Sequence, residues 1–308
     1  MTFSVRFNND VSPTRFGRLA SLAEELGFDQ IWVSNDLFFH SAPVLVTAAA
    51  RATSRMSLGV GVFNPVSMHP AEIAMVAASL AELTGGRFRL GIGAGADRFL
   101  HWAGMTSDPP VKRTQAAIGE IRSLLAGGSP WAEDGRMRIA IEQVPIYVGA
   151  MGPAMLRMAG RLADGVLPLL FPPRHYRVAA AQIAEGAKSA GRDIDAIDVA
   201  ACIWCSIDAS SQRARDALAA KIAYYGASFS PDLLARAGLK PADFVGGTVT
   251  PKMLALGIAG DAEDVTVACT ELVRDGAHHI SFGPPLGPDP EAALRVLSAE
   301  VLPALARL

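Results

Sequence analysis

Charge is scarce in this chain. Only 19% of its 308 residues are Asp, Glu, Lys or Arg, and the signs nearly cancel, at a formal net charge of -2. With no basic excess to neutralise a phosphate backbone, nucleic acid is not an expected partner. Long apolar runs are missing as well. Half of the residues are hydrophobic, yet polar residues interrupt every stretch short of the ~18 that would span a bilayer, so no membrane segment is expected. The opening MTFSVRFNND lacks the charged start and apolar stretch of a secretory signal, which argues for a cytoplasmic protein. Cysteine is rare: Cys202, Cys205 and Cys269 are all there is. The first two form a CxxC, but IDVAACIWCSID reads as one strand. Positions three apart on a strand point to opposite faces, so these are expected to be small core residues and not a redox or zinc pair.

What is present is a regular alternation. Apolar runs such as FSVRFNN, FDQIWVS, MSLGVGVFNP and RFRLGIG read as strands, and amphipathic stretches at 13–26, about 42–52, about 70–83 and 111–126 read as helices. The second half repeats this with VPIYVGA, DGVLPLL, IDVAACIWCSI and AHHISFG as strands five to eight. Alternation of this kind implies parallel strands with right-handed crossovers. Eight units in one domain, 1–308, imply an α/β fold of the TIM-barrel type, (β/α)8, which typically needs roughly 250 residues or more. Two stretches exceed the bare barrel: a long loop at 94–110 after strand four, and residues 226–260 between helix seven and strand eight, rich in Gly and Pro. Insertions of that length are often lids.

In such barrels the active site lies at the C-terminal strand ends. Those ends carry Asn8–Asp10, Ser34–Asp36, Gly61–Asn64, Gly93–Gly95, Gly149–Gly152, Phe171, Ser206 and Phe282–Gly283. They hold no His, Asp and Glu cluster at metal-ligand spacing, so no metal is expected and a metal-dependent hydrolase is disfavoured. Pro145–Pro153 runs a strand into a glycine-flanked turn with Pro at the next helix start. The N–H groups of Ala150, Met151 and Gly152 there suit an anion, although a plain tight turn reads the same way. Gly91–Ala96 fits GxGxxA, but the chain then enters a loop and not a Rossmann helix. The glycines at 59, 61, 91 and 93 instead suggest backbone left bare for a flat ring. Asn35 and Asp36 are candidates for a proton carrier or a cofactor hydrogen-bond partner, or for a helix cap. His40, His69 and His101 sit on rim loops, and of the adjacent His278 and His279 at most one faces the barrel interior.

Taken in order, GFDQIWVS (27–34), LGVGVFNP (58–65), ELTGGRFRLGIG (82–93), VPIYVGAMGPAMLRMAG (144–160) and ADG (163–165) resemble the bacterial luciferase-like superfamily. They are most similar to its deazaflavin-using branch, to which the methylenetetrahydromethanopterin reductases belong. The resemblance implies a ring lying over strand three, with a cis peptide at Gly61–Val62. It also implies cofactor contacts from Gly93 and Ala94 and from Gly149, Ala150, Met151 and Gly152, and a homodimer built partly through the second insertion. Where the family commonly has Asp-His after strand two, this chain has Asn35-Asp36, so the tetrahydropterin substrate is not carried over. The expected activity is hydride transfer between coenzyme F420 and a small organic substrate, with Asp36 and Asn35 at the reacting centre. The alternatives are an FMN-dependent monooxygenase fed by a separate reductase, and a flavin-binding protein without catalysis. A deazaflavin tail calls for a basic groove, for which Arg98 and Arg174 are the candidates.

Overall fold

Each strand of the chain is apolar where it meets helices and mixed on its other face. Along the first, Phe3, Val5 and Phe7 join the main core, while Ser4 and Arg6 alternate to the opposite side. The computed structural model describes residues 1–106, 109–139, 143–226, 229–245 and 247–308. The chain begins with β1 (Thr2–Phe7), α1 (Pro13–Glu25), β2 (Gln30–Val33), α2 (Ala42–Ala52), β3 (Ser57–Phe63), α3 (Pro70–Thr84) and β4 (Phe88–Ile92). It continues with α4 (Asp97–Trp102), α5 (Pro110–Leu125), β5 (Ile146–Ala150), α6 (Pro153–Leu162), β6 (Gly165–Pro168) and α7 (Tyr176–Ser189). The last third holds β7 (Asp198–Ile207), α8 (Ser211–Tyr225), α9 (Pro231–Arg236), α10 (Pro251–Leu254), β8 (Ile258–Gly260), α11 (Ala262–Arg274), β9 (His279–Leu286), α12 (Pro290–Val296) and α13 (Leu302–Leu305). Proline stands in the first turn of α1, α3, α5, α6 and α12, where its missing N–H costs nothing.

Strands β1 to β7 and β9 close into an eight-stranded parallel barrel, β9 pairing with β1 and β6 with β7. This is the expected TIM-type barrel. Three details differ from the sequence reading. The stretch after β4 contains a helix, α4, whose six residues are too few for a periodic signal but bury Phe99 and Leu100. The second insertion carries α9, α10 and an extra strand, β8, which pairs with Cys205–Ile207 at the far end of β7. Strand six ends at Pro168, with Leu169 making only an isolated bridge to Cys202. Among the described residues no helix is long and apolar enough to cross a membrane.

The two cysteines of the CxxC do face opposite ways. Cys202 packs inside the barrel with Trp32, Tyr147, Leu167 and Ala200, whereas Cys205 belongs to the core between barrel and helices. Burial pushes the Cys205 thiol up to about 12, and raises Cys202 and Cys269 as well. Since the thiolate is the reactive form, none of the three is expected to react with Ellman's reagent in the folded protein, and all three after unfolding. A fast thiol in the native state contradicts this packing.

Helices α6 and α7 meet through glycine. A Cβ at Gly160 would lie 2.1 Å from the Ile183 carbonyl oxygen, and one at Gly186 would lie 2.1 Å from that of Arg157. The α1 residue Glu24 clamps the turn before β3. Its carboxylate accepts from the backbone N–H groups of Ser54, Arg55 and Met56. Partial burial pushes the Glu24 carboxyl up, but these hydrogen bonds win and bring it to about 2. A depressed folded-state value means stability present above the unfolded value and lost on acidification. Glu24→Gln is therefore expected to cost about 1 kcal/mol at pH 7, a difference that fades between about pH 5 and pH 2 in urea titrations.

Candidate active site

The barrel interior is not bare where the sequence shows glycine. The Trp32 indole lies against Gly59, whose Cβ would sit 2.2 Å from the ring. A Cβ at Gly91 would be 2.1 Å from the Val60 carbonyl oxygen. The Val62 side chain occupies the space over Gly93 and Gly149, at 3.0 and 2.9 Å from their hypothetical Cβ atoms. Gly59, Gly93 and Gly149 thus make room for the protein's own side chains, and Gly91 for the neighbouring strand's backbone, which corrects the reading of an empty backbone surface. What faces the mouth is Val62, half-buried, following the expected cis peptide between Gly61 and Val62. Asn64 ties this edge down: its Nδ2 donates to the Ala94 carbonyl, while its Oδ1 accepts from Val66 N at 2.8 Å.

On the next strand the chain turns at Gly149–Gly152 into α6. Ala150 is buried, Met151 exposed, and Gly152 is the N-cap with no side-chain hydrogen bond to the helix start. A Cβ on Gly152 would meet nothing within 4 Å. The first N–H groups of α6 are therefore without a side-chain cap and border open space, a fit for an anionic group of a ligand. Arg236, from α9 in the second insertion, donates to the Met151 carbonyl at 3.0 Å and brings a cation to this turn.

Across the mouth stand Asn35 and Asp36. The Asn35 Oδ1 accepts from Ala42 N at 3.2 Å, so that oxygen is engaged at the start of α2. Asp36 is held by Asn9, a buried residue from the end of β1. The Asn9 Oδ1 accepts from Asp36 N at 3.2 Å and from Ser34 Oγ at 2.8 Å; its Nδ2 donates to the carbonyls of Asp36 and His40 at 2.9 and 2.8 Å. Burial raises the Asp36 carboxyl above its usual range, against the pull of Lys221, Ser34 and Arg98. Lys221, on α8, is the complementary group. Burial lowers it to about 8, although Asp10 and Asp36 favour its charge. Its Nζ lies 4.2 Å from the Tyr225 ring centroid and 5.7 Å from that of Trp204. Together with Asn8, Asp10, Tyr225, Pro284 and Pro285 it lines a cavity of about 620 Å³.

The other sequence candidates scatter. Arg98 does not line a groove: its guanidinium sits over Tyr224, Trp102, Phe99 and Tyr225 at 4.4 to 5.3 Å and donates to the Tyr224 carbonyl at 3.0 Å. It pins α4 to α8. Arg174 is exposed in a short helical turn. His69 caps α3, accepting from Ala71 N at 3.2 Å. His40, His101 and His278 are exposed. His279 is buried and bonded to Asp198 and Ser4 at the closed end of the barrel, away from the mouth. Lys221 and Arg236 escaped the sequence reading, and Asn9 stood in it only as one of the rim residues after strand one.

A barrel with this mouth places the chain in a known class. The family model described as luciferase-like monooxygenase matches residues 2–279, and the chain belongs to that family. It is 35% identical to the 5,10-methylenetetrahydromethanopterin reductase of Methanolobus tindarius, over 98% of this chain and 100% of that one. The solved coenzyme F420 dependent tetrahydromethanopterin reductase of Methanopyrus kandleri superimposes with a TM-score of 0.87 at 30% identity, covering 99% of both chains. An F420-dependent glucose-6-phosphate dehydrogenase of Nakamurella multipartita is 31% identical over 68% of this chain and 70% of its own.

Proposed function

We propose that this protein is an F420-dependent oxidoreductase acting on a small organic molecule held at the barrel mouth. The observation that carries the reading is the Val62 platform beside the uncapped, open start of α6, in a chain similar over its full length to F420-dependent enzymes. The deazaflavin, when bound, supplies the hydride chemistry. The chain's own residues do the rest. Val62, Gly93 and Ala94 form the floor, and the N–H groups at Gly149–Gly152 with Arg236 receive the anionic tail. Asp36, fixed by Asn9 and Ser34, is the proton-carrying group of this reading, and burial raises its carboxyl above the usual range. Asn35 offers its amide N–H beside it. The second insertion and α4 wall the site from water, and the homodimer implied by the family resemblance belongs to this reading.

A titration of the purified protein with coenzyme F420 and with FMN, oxidised and reduced, tests it. Saturable binding of the deazaflavin with none of FMN is the expected result. Binding of reduced FMN alone overturns it in favour of the oxygen-dependent monooxygenase chemistry for which the family is described. Arg236→Gln is expected to weaken F420 about 10-fold, equivalent to one charged hydrogen bond, while leaving the melting temperature unchanged.

A further inference from the structure

One half-buried cation of the barrel interior has no carboxylate bonded to it among the described residues. Arg6 projects from β1 into the barrel interior. Its Nε donates to Ser281 Oγ at 3.1 Å, and its Nη2 donates to the Ile203 carbonyl at 2.6 Å and, more loosely, to that of Ser281 at 3.5 Å. Gly283 creates the space, since a Cβ there would sit 2.1 Å from Nη2. Every one of these acceptors is neutral. Among the described residues no carboxylate pairs with Arg6, and its Nη1 makes no hydrogen bond. A guanidinium does not shed its proton, and buried charges are ordinarily paired.

A second cation approaches from the other side. Gly283 is in register with Trp204 on β7, and the Lys221 ammonium lies over the Trp204 and Tyr225 rings. Lys221 also makes no hydrogen bond among the described residues, and Arg6 lies within its electrostatic field together with Asp10 and Asp36. Asp10 and Asp36 lie in the field of Lys221, with the Asp36 side chain tied to Ser34; among the described residues neither carboxylate bonds the Arg6 guanidinium, which leaves its Nη1 free to meet a ligand.

We propose that Arg6 and Lys221 form a binding subsite for an anionic group on the substrate, a carboxylate or a phosphate, whose apolar body lies along Tyr225 and the Pro284–Pro285 wall of the cavity. This deepens the oxidoreductase reading by naming the substrate's class, and it rests on the same mouth being the substrate site. Arg6 supplies a planar, directed donor at Nη1, and Lys221 a compact charge. An uncharged alcohol or ketone of the same size leaves both unanswered and binds poorly.

The test needs no cofactor. Trp204 lies beside the subsite, so intrinsic tryptophan fluorescence reports occupancy. The full-length protein is titrated with benzoate, phenyl phosphate and the neutral benzamide. One of the two anions is expected to bind saturably and ~10- to 100-fold more tightly than benzamide, and which one identifies the group. Arg6→Gln and Lys221→Met are each expected to remove most of that preference, and Arg6→Lys to restore part of it. Equal affinity for anions and benzamide, no saturable response to either anion, or an unchanged preference in both variants overturns the proposal. Lys221→Met serves as the second variant should Arg6→Gln fail to fold. F420 titration of the same preparation separates the two readings. Anion preference without F420 binding removes the cofactor and keeps the subsite; F420 binding without anion preference does the reverse.

Discussion

Asp36→Asn is expected to lower turnover ~10²- to 10³-fold, the range of a lost acid–base group, while F420 affinity changes by no more than a few-fold. The argument is geometric first. Asn9 grips Asp36 through backbone N–H and carbonyl, and Ser34 through its hydroxyl, so the loop's shape does not depend on the carboxylate. An amide in its place preserves the volume and accepts the same Ser34 hydrogen bond, but it carries no proton to give. Burial already raises the Asp36 carboxyl, with Lys221 and Arg98 opposing. Lys221→Met, which removes the stronger of those two opposing charges, is expected to shift the alkaline limb of the pH–rate profile upward. Measuring kcat separately from KM decides the case. A variant that loses only affinity assigns Asp36 to binding, and one that keeps full turnover removes it from the chemistry.

The second large effect concerns stability and has opposite signs at two glycines. Gly186→Ala is expected to cost roughly 3 kcal/mol, about 5 °C in melting temperature for a chain of this size. Its Cβ would drive into the Arg157 carbonyl, which is backbone and cannot swing aside. Gly160→Ala meets the Ile183 carbonyl in the same way. Gly119, exposed within α5, has nothing within 4 Å of its Cβ. There the same substitution is expected to stabilise by about 0.5–1 kcal/mol through lower unfolded-chain entropy. Thermal melts of the three variants test both signs; a destabilised Gly119→Ala contradicts the open surface described for α5.

Strand identity and barrel closure were legible because they live in local patterns. Period-two alternation set the opposite faces of Cys202 and Cys205. The glycine-flanked turn at 149–152 was legible for the same reason. Convergence was not. Lys221 sits in an ordinary helical pattern, and only folding lays Trp204 and Tyr225 over its ammonium. Arg6 left one trace, a charged residue at an inward position of FSVRFNN, but its unpaired state depends on Ile203 and Ser281, far away in sequence. Arg98 misled because a lone arginine in a loop says nothing about four rings gathering round it.

The closed end of the barrel has a mechanical consequence. The ring of strands is thinnest where β6 meets β7, with two paired positions, Gly165–Asp198 and Val166–Val199. Directly at that seam, Asp198 accepts from Tyr147 of β5 at 2.8 Å, from Gln30 of β2 at 3.5 Å and bonds His279 of β9 at 2.9 Å; His279 in turn reaches Ser4 of β1 at 2.7 Å. A carboxylate on one strand thus fastens three others directly, and a fourth through His279, like a rivet through a hoop. The barrel cannot unzip at its weakest joint without stripping the partners from that one half-buried group, so seam opening and loss of the whole ring become a single event.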